Sequence, residues 1–256
     1  DSSNPKNFTT GSGGRFFFTA SHTDSTSELY VVNGNTVEML KKINESGDSE
    51  VSDLYWNPNS SSTTSPIVDP TLYFSASDSS SSFTANKELW KSSGATGNAV
   101  KVREINTNTD SSSDPSGFKA IGTTVYFAAT GPSQGRELYK TNGTFTGTVQ
   151  VKDINEGGSS SSNPKELVVG PGNKLFFVAT GRSNSDSLQN TGRELWMSDG
   201  TATGTKAVKN INGADADAMS AEDGDAHAGH GGAEVRVMHD LAAFVFHLHL
   251  FLRVSI

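Results

Sequence analysis

Residues 192–205 read GRELWMSDGTATGT, and residues 135–148 read GRELYKTNGTFTGT. In both stretches a short run of alternating apolar and polar residues leads into an Asp-Gly or Asn-Gly pair, which favours a tight hairpin turn between β-strands. Two copies of one pattern in a single chain indicate an internal repeat. A repeat determines the architecture of a chain, so the remaining sequence has to be compared with this unit.

Two further copies of the unit lie upstream. Each copy has a strand with an aromatic pair before a shared alanine, then a Glu-Leu-aromatic strand, a glycine turn and an Ile-Asn pair. The glutamates lie 60, 49 and 57 positions apart, close to the period of about 50 residues of kelch-type blades. The shared alanines are Ala20, Ala76, Ala129 and Ala179, and the glutamates are Glu28, Glu88, Glu137 and Glu194.

The unit itself predicts a four-stranded antiparallel meander. In the last copy the expected strands cover residues 166–169, 174–180, 193–198 and 206–211, and such a meander is one blade of a β-propeller. Because neighbouring residues of a strand point to opposite faces, the aromatic pair predicts that both faces are buried. We therefore predict an all-β fold, a four-bladed or partial β-propeller, with a non-repeat C-terminal tail. The repeats are placed at about 1–47, 48–109, 110–158 and 159–212, with no helix longer than one turn.

The motifs of the last two copies resemble those of the tandem-repeat family named for its ELW, SDGT, GT and VKDI motifs. The likeness covers roughly residues 1–212 and is looser in the first copy, where the turn at Gly34 is not followed by a second Gly-Thr, and in the second, where Asn98 replaces Thr. The resemblance implies propeller-like repeats in secreted or cell-surface proteins without an established catalytic activity. We therefore expect an extracellular or cell-surface location.

Composition excludes several classes of function. The net charge is −8 and the lysines and arginines form no cluster, so nucleic acid is not expected as a partner. The chain has no cysteine, which excludes disulfides and thiolate metal sites. The first residues show no charged and apolar leader, so we expect a secretion signal to be absent or already removed.

The tail, residues 213–256, differs from the repeats. Residues 214–256 contain no Asn, Thr, Lys, Pro, Tyr or Trp, and five of the six histidines lie there. Residues 241–252 form an apolar run that is shorter than the roughly 20 residues needed to cross a bilayer. We expect a low-complexity and then apolar tail, disordered or helical, and not a membrane anchor.

The residues shared by all copies are predicted to be structural. An active site in a ring of repeats breaks the symmetry of the ring, whereas the glutamates recur in every copy. We expect their carboxylates to bond to the sheet backbone or to a neighbouring basic side chain; Arg136 and Arg193 precede two of them. No catalytic and no metal-binding residue is predicted. The predicted structural anchors are Glu28, Glu88, Glu137, Glu194, Trp90, Trp196, Gly143 and Gly200.

Other candidate sites are weaker. Ser133 lies in a G-x-S-x-G pattern, but that pattern needs a strand-to-helix elbow and a nearby histidine, and His22 is the one histidine upstream of the tail. The oxygen-rich segments 48–50 and 110–114 could bind calcium, although such side chains more often bond to their own turns. In the tail, His227, His230 and His239 with Asp223 and Asp225 could bind Zn²⁺ or Ni²⁺, without the spacing of a designed site.

The sequence thus predicts a non-enzymatic secreted or cell-surface module for protein or glycan binding or scaffolding, without a cofactor unless calcium is bound. The alternative is a propeller-hosted polysaccharide hydrolase or lyase. That enzyme would need carboxylates found in one repeat only, for which Asp69, Asp78 and Glu104 are the candidates. We also expect self-association through the terminal repeats, whose outer faces lack a neighbour.

Overall fold

The computed structural model describes residues 2–22, 26–59, 70–78, 86–108, 111–182 and 192–211. They form four separate antiparallel sheets of four strands, each in sequence order, with two three-residue 3-10 turns at Ser12–Gly14 and Pro171–Asn173. Within these residues, the prediction of an all-β fold of four-stranded antiparallel meanders is confirmed. The tail, Asp69 and Asp110 lie outside the described residues.

The strands follow the repeat. Sheet 1 contains β1 (Lys6–Thr10), β2 (Phe16–Ser21), β3 (Ser27–Asn33) and β4 (Thr36–Lys41); sheet 2 contains β5 (Ser52–Asn57), β6 (Thr71–Ser77), β7 (Lys87–Ser92) and β8 (Ala99–Arg103). Sheet 3 contains β9 (Ser116–Ile121), β10 (Thr124–Thr130), β11 (Arg136–Thr141) and β12 (Val149–Lys152); sheet 4 contains β13 (Lys165–Gly170), β14 (Lys174–Gly181), β15 (Gly192–Ser198) and β16 (Lys206–Ala207). The last strand is shorter than the predicted 206–211.

Apolar cores lie between consecutive sheets. Neighbouring residues of β6 enter different cores, because Phe74 packs towards sheet 1 whereas Tyr73 packs towards sheet 3. The same alternation sends Tyr126 and Phe127 of β10 into different cores. Burying a side chain of this size stabilises the fold by roughly 1.5–3 kcal/mol. Each inner sheet is therefore buried on both faces.

The entry to each sheet has an unusual backbone. A serine is followed by a residue with positive φ: Asn4 (42°), Glu50 (46°), Asp114 (45°) and Asn163 (47°). The left-handed conformation strains most L-residues, and Asn and Asp tolerate it best. It leaves the serine carbonyl free to accept a hydrogen bond at 2.7–2.8 Å from the end of the second strand, at Ser3, Ser49, Ser113 and Ser162.

The Asp-Gly-Thr motif builds a self-bonded turn in sheet 4. Asp199 Oδ1 accepts hydrogen bonds from the Thr201 amide at 2.9 Å and the Thr201 hydroxyl at 2.7 Å. The Thr205 hydroxyl donates to the Thr201 carbonyl at 2.6 Å and bonds to Ser198 at 2.7 Å. Sheet 3 repeats this network with Asn142, Thr144, Thr148 and Thr141. The motif that defines the repeat is therefore a structural turn.

Candidate functional site

The repeat glutamate joins one sheet to the next. Glu137 Oε2 accepts hydrogen bonds from the Ile154 amide at 2.9 Å and the Ser162 hydroxyl at 2.6 Å. Its Oε1 accepts one from the Ser162 amide at 2.8 Å. Ile154 closes the third repeat and Ser162 opens the fourth. We call this arrangement the Glu–Ser clasp.

The clasp recurs at the other two junctions. Glu88 Oε2 accepts from the Ile105 amide at 2.7 Å and the Ser113 hydroxyl at 2.6 Å, and Glu28 Oε2 accepts from the Ser49 hydroxyl at 2.6 Å. All three glutamates are completely buried. The sequence predicted backbone partners but missed the serine.

Burial controls the electrostatics of the clasp. Desolvation raises the pKa of Glu88 and of Glu137 to about 7, against the lowering effect of the hydrogen bonds they accept. The pKa of Glu28 is also raised by burial. A carboxyl group enclosed in this way binds its own chain, and a substrate would have to separate two sheets to reach it.

Arg136, which precedes Glu137, lies beside the clasp. Arg136 donates to the Asp114 carbonyl at 2.8 Å, the Ser116 hydroxyl at 2.6 Å and the Ala128 carbonyl at 3.2 Å. These partners belong to the same sheet as Arg136. Arg193 is half-buried at the corresponding position of sheet 4.

The remaining predicted anchors lie at the junctions. Trp90 and Trp196 are buried in the cores against sheets 1 and 3. Gly143 and Gly200 have φ of 84° and 88°, and a Cβ at Gly143 would lie 2.7 Å from the Tyr73 hydroxyl of the preceding sheet. At Gly200 the Tyr126 hydroxyl occupies the same place. Glycine thus permits both the turn and the close approach.

The weaker candidates do not assemble into sites. Ser133 is exposed in the loop between the antiparallel strands β10 and β11, so its pattern forms no strand-to-helix elbow. Asp48 accepts a hydrogen bond from the Glu50 amide at 2.7 Å. Across the described ranges, no group of three or more His, Asp or Glu side chains could hold a metal ion. The tail histidines are outside those ranges.

Sheet 2 carries one polar cluster with residues that the other sheets lack. Lys101 forms ion pairs with Asp78 and Glu104, each at 2.8 Å, and the Asn86 amide donates to Glu104. The cluster brings together two carboxylates that the sequence singled out, and it pairs both with one ammonium group. Both carboxylates therefore already form an ion pair within this chain.

One feature at the surface escaped the sequence analysis. Phe145 is 62% exposed, and the Arg103 guanidinium lies 4.8 Å from its ring centroid.

No helix within the part of the chain that the structure describes is long and apolar enough to span a bilayer.

No family model matches the chain, and no curated protein matches it. Similar solved structures include a puromycin-hydrolysing peptidase of Mycobacterium tuberculosis, with 12% identity and a TM-score of 0.47 over 80% of this chain and 31% of that one. Another is a puromycin hydrolase mutant complexed with PGG, with 14% identity and a TM-score of 0.43 over 79% and 32%. A luciferin-regenerating enzyme has 13% identity and a TM-score of 0.38 over 80% and 63%. The chain thus spans less than two thirds of each, and at these scores neither fold nor activity is inferred from them.

Proposed function

We propose that the chain is a non-enzymatic repeat module of the propeller type, of the ELW and SDGT repeat kind, which binds protein or glycan or acts as a scaffold outside the cell. The observation that carries the proposal is the Glu–Ser clasp. The repeat glutamates Glu28, Glu88 and Glu137 are buried and hydrogen-bonded to the chain itself. They hold sheets together and do not face a ligand.

The loops are the parts of the molecule that remain for binding. The exposed Phe145 ring, backed by Arg103, offers a flat apolar surface beside a cation. Aromatic rings with polar neighbours suit protein hot spots and sugar faces. Calcium is proposed only as an optional ligand of the oxygen-rich loops, and a melting temperature unchanged by EDTA would remove it from the account.

The alternative is a polysaccharide hydrolase or lyase that uses the Asp78, Lys101 and Glu104 cluster. Its two carboxylates are specific to sheet 2 and lie together at Lys101. Glycoside hydrolysis uses a pair of carboxyl groups as acid and as base or nucleophile. Here both carboxylates form ion pairs with the same lysine, and a substrate would have to compete with that lysine for them.

One experiment separates these functions. The purified chain is incubated with xylan, alginate, pectin and chitin, and released reducing ends and unsaturated products are measured alongside binding to the same polymers. The proposal predicts no release from any polymer, for wild type and for Glu104→Gln alike. Release by wild type that Glu104→Gln abolishes would establish the enzyme and overturn the proposal. Binding that Phe145→Ala weakens would support the loop surface.

A further inference from the structure

The outer face of sheet 4 exposes residues that the other sheets bury. Val208 is 45% exposed, whereas its counterparts Leu40, Val102 and Val151 are at most 7% exposed. Ile211 is 51% exposed, whereas Ile43, Ile105 and Ile154 are at most 6% exposed. In sheets 1 to 3 these positions pack against the following sheet. We call this side of a sheet its outgoing face.

On the opposite side of sheet 1, its incoming face, Phe8 is also exposed. Phe8 is 59% exposed and stacks on Phe16 at a centroid distance of 5.6 Å, while Phe18 stacks on Tyr30 at 5.6 Å. The counterparts of these rings pack against the preceding sheet in the three cores. They are Leu54, Phe118 and Leu167 for Phe8, and Trp90, Tyr139 and Trp196 for Tyr30.

The two faces also carry the two halves of a clasp. Ser3 accepts the strand-end hydrogen bond through its carbonyl, as Ser49, Ser113 and Ser162 do, but Ser3 is exposed whereas those serines are completely buried. Glu194 is the glutamate of sheet 4. Within the described residues no hydrogen bond to its carboxylate is found, whereas Glu28, Glu88 and Glu137 each accept one from a serine hydroxyl.

We propose that the outgoing face of sheet 4 docks on the incoming face of sheet 1 of a second copy of this chain. In the joint, Ser3 of one copy donates to Glu194 of the other, and Ile211 and Val208 pack against Phe8 and its aromatic neighbours. The joint repeats the contact that unites sheets three times within the chain. It does not depend on which ligand the module binds.

The choice of a second copy follows from the exposures. Phe8, Val208 and Ile211 are all exposed within one molecule, so sheet 1 does not cover these residues of sheet 4. A head-to-tail contact closes into a ring or extends as an array. Two copies contribute four sheets each, and eight is the upper end of the range of about four to eight blades in propellers. A closed pair with two equivalent joints is the smallest assembly in which the outgoing face of each sheet 4 meets the incoming face of a sheet 1.

The joint lacks one feature of the internal junctions. Lys140 donates to the Gly200 carbonyl at 2.8 Å and Lys152 to the Thr205 carbonyl at 3.1 Å, both across to the turn of the next sheet. Sheet 1 instead turns tightly between Asn33 and Thr36 and offers no such turn. The joint therefore rests on the apolar contacts and on the clasp.

The test is the mass of the full chain by light scattering over a range of concentrations. We expect twice the 27.0 kDa of one chain. A charge placed on either face should raise the dissociation constant of the dimer by roughly tenfold or more, since the charge would be buried without a partner. Phe8→Asp and Ile211→Asp make this change at exposed positions. Val100→Asp (48% exposed) is the matched control, and a circular dichroism spectrum checks the fold of each variant.

Cross-linking identifies the partner face. Because the chain has no cysteine, Phe8→Cys and Ile211→Cys can be labelled singly with a short bismaleimide. We expect a covalent dimer when the two variants are mixed and none from either alone. A wild-type monomer at all concentrations would overturn the proposal. So would a dimer that survives both face substitutions, or a cross-link within one chain carrying both cysteines.

Discussion

At the scale of single residues, the molecule depends on buried glutamates whose hydrogen bonds cross from one repeat to the next. A carboxylate removed from water is stable only when its oxygens are satisfied. In the clasp at Glu137, two backbone amides and one hydroxyl do this. The serine hydroxyl is the contribution of the following repeat, so its removal weakens a junction and leaves the sheets themselves intact.

We expect Ser162→Ala to lower the free energy of unfolding by about 1.5–3 kcal/mol, the range for hydrogen bonds to charged groups. A double-mutant cycle in urea with Glu137→Ala should give a coupling of about 0.5–3 kcal/mol. Ser159→Ala, at an exposed serine of the same loop, is the control and should change little. Additive effects of the two substitutions would mean that the clasp does not connect them.

The raised pKa values predict a pH dependence. For Glu88 and Glu137 the pKa is about 7 in the folded protein and about 4.3 in an unfolded chain. The folded state therefore holds more protons between these values, and stability falls as pH rises through them. We expect the stability of wild type relative to Glu137→Gln to decrease between pH 5 and pH 7.5, measured by urea unfolding at each pH. A relative stability that rises over this interval would contradict the assignment.

At the scale of elements, the strand order and the inward faces could be predicted from the sequence, because the repeat multiplies the alternation of apolar residues four times. The segments at the entry to each sheet, where a serine precedes a residue with positive φ, could not be predicted. Their serines are hidden in a chain rich in serine, and their partner glutamates lie 25 positions upstream for Ser162 and 21 for Ser49. The positive φ of Glu50 was also unforeseen, since glutamate does not favour that conformation.

Glu50 offers a test of that backbone. The same place holds Asn4 in sheet 1 and Asn163 in sheet 4, both with positive φ. We expect Glu50→Asn to raise stability by about 0.5–1 kcal/mol, because asparagine relieves part of the strain. Glu45→Asn removes the same charge at a nearby exposed residue without positive φ. An equal gain from both variants would assign the effect to charge and not to backbone.

The glycine turn is the second element-scale test. Gly200→Ala adds a Cβ where the Tyr126 hydroxyl lies, on top of the strain of a φ of 88°. Gly172→Ala carries only the strain, since its φ is 71° and nothing lies within 4 Å. We expect Gly200→Ala to lower the free energy of unfolding by about 1–3 kcal/mol more than Gly172→Ala does, which is the usual effect of overpacking. Thermal melting of the two variants measures this difference, and equal losses would show that the turn does not contact the preceding sheet.

At the scale of the whole molecule, the described sheets form a row in which each sheet is stabilised by its neighbours. In such arrays stability is close to a sum of terms for single repeats and for the junctions between them. Strong junctions make the row unfold as one unit, and weak junctions let the ends unfold first. The clasps and the three cores place this chain in the first group.

The most direct test uses the three tryptophans of the chain. Trp56 and Trp90 report on the core between sheets 1 and 2, and Trp196 on the core between sheets 3 and 4. The variant Trp196→Phe and the double variant Trp56→Phe/Trp90→Phe are each unfolded in urea and followed by fluorescence and far-ultraviolet circular dichroism. The account predicts that in each variant the two signals share one midpoint. Midpoints that separate in either variant, with the fluorescent core unfolding before or after the remaining sheets, would contradict it.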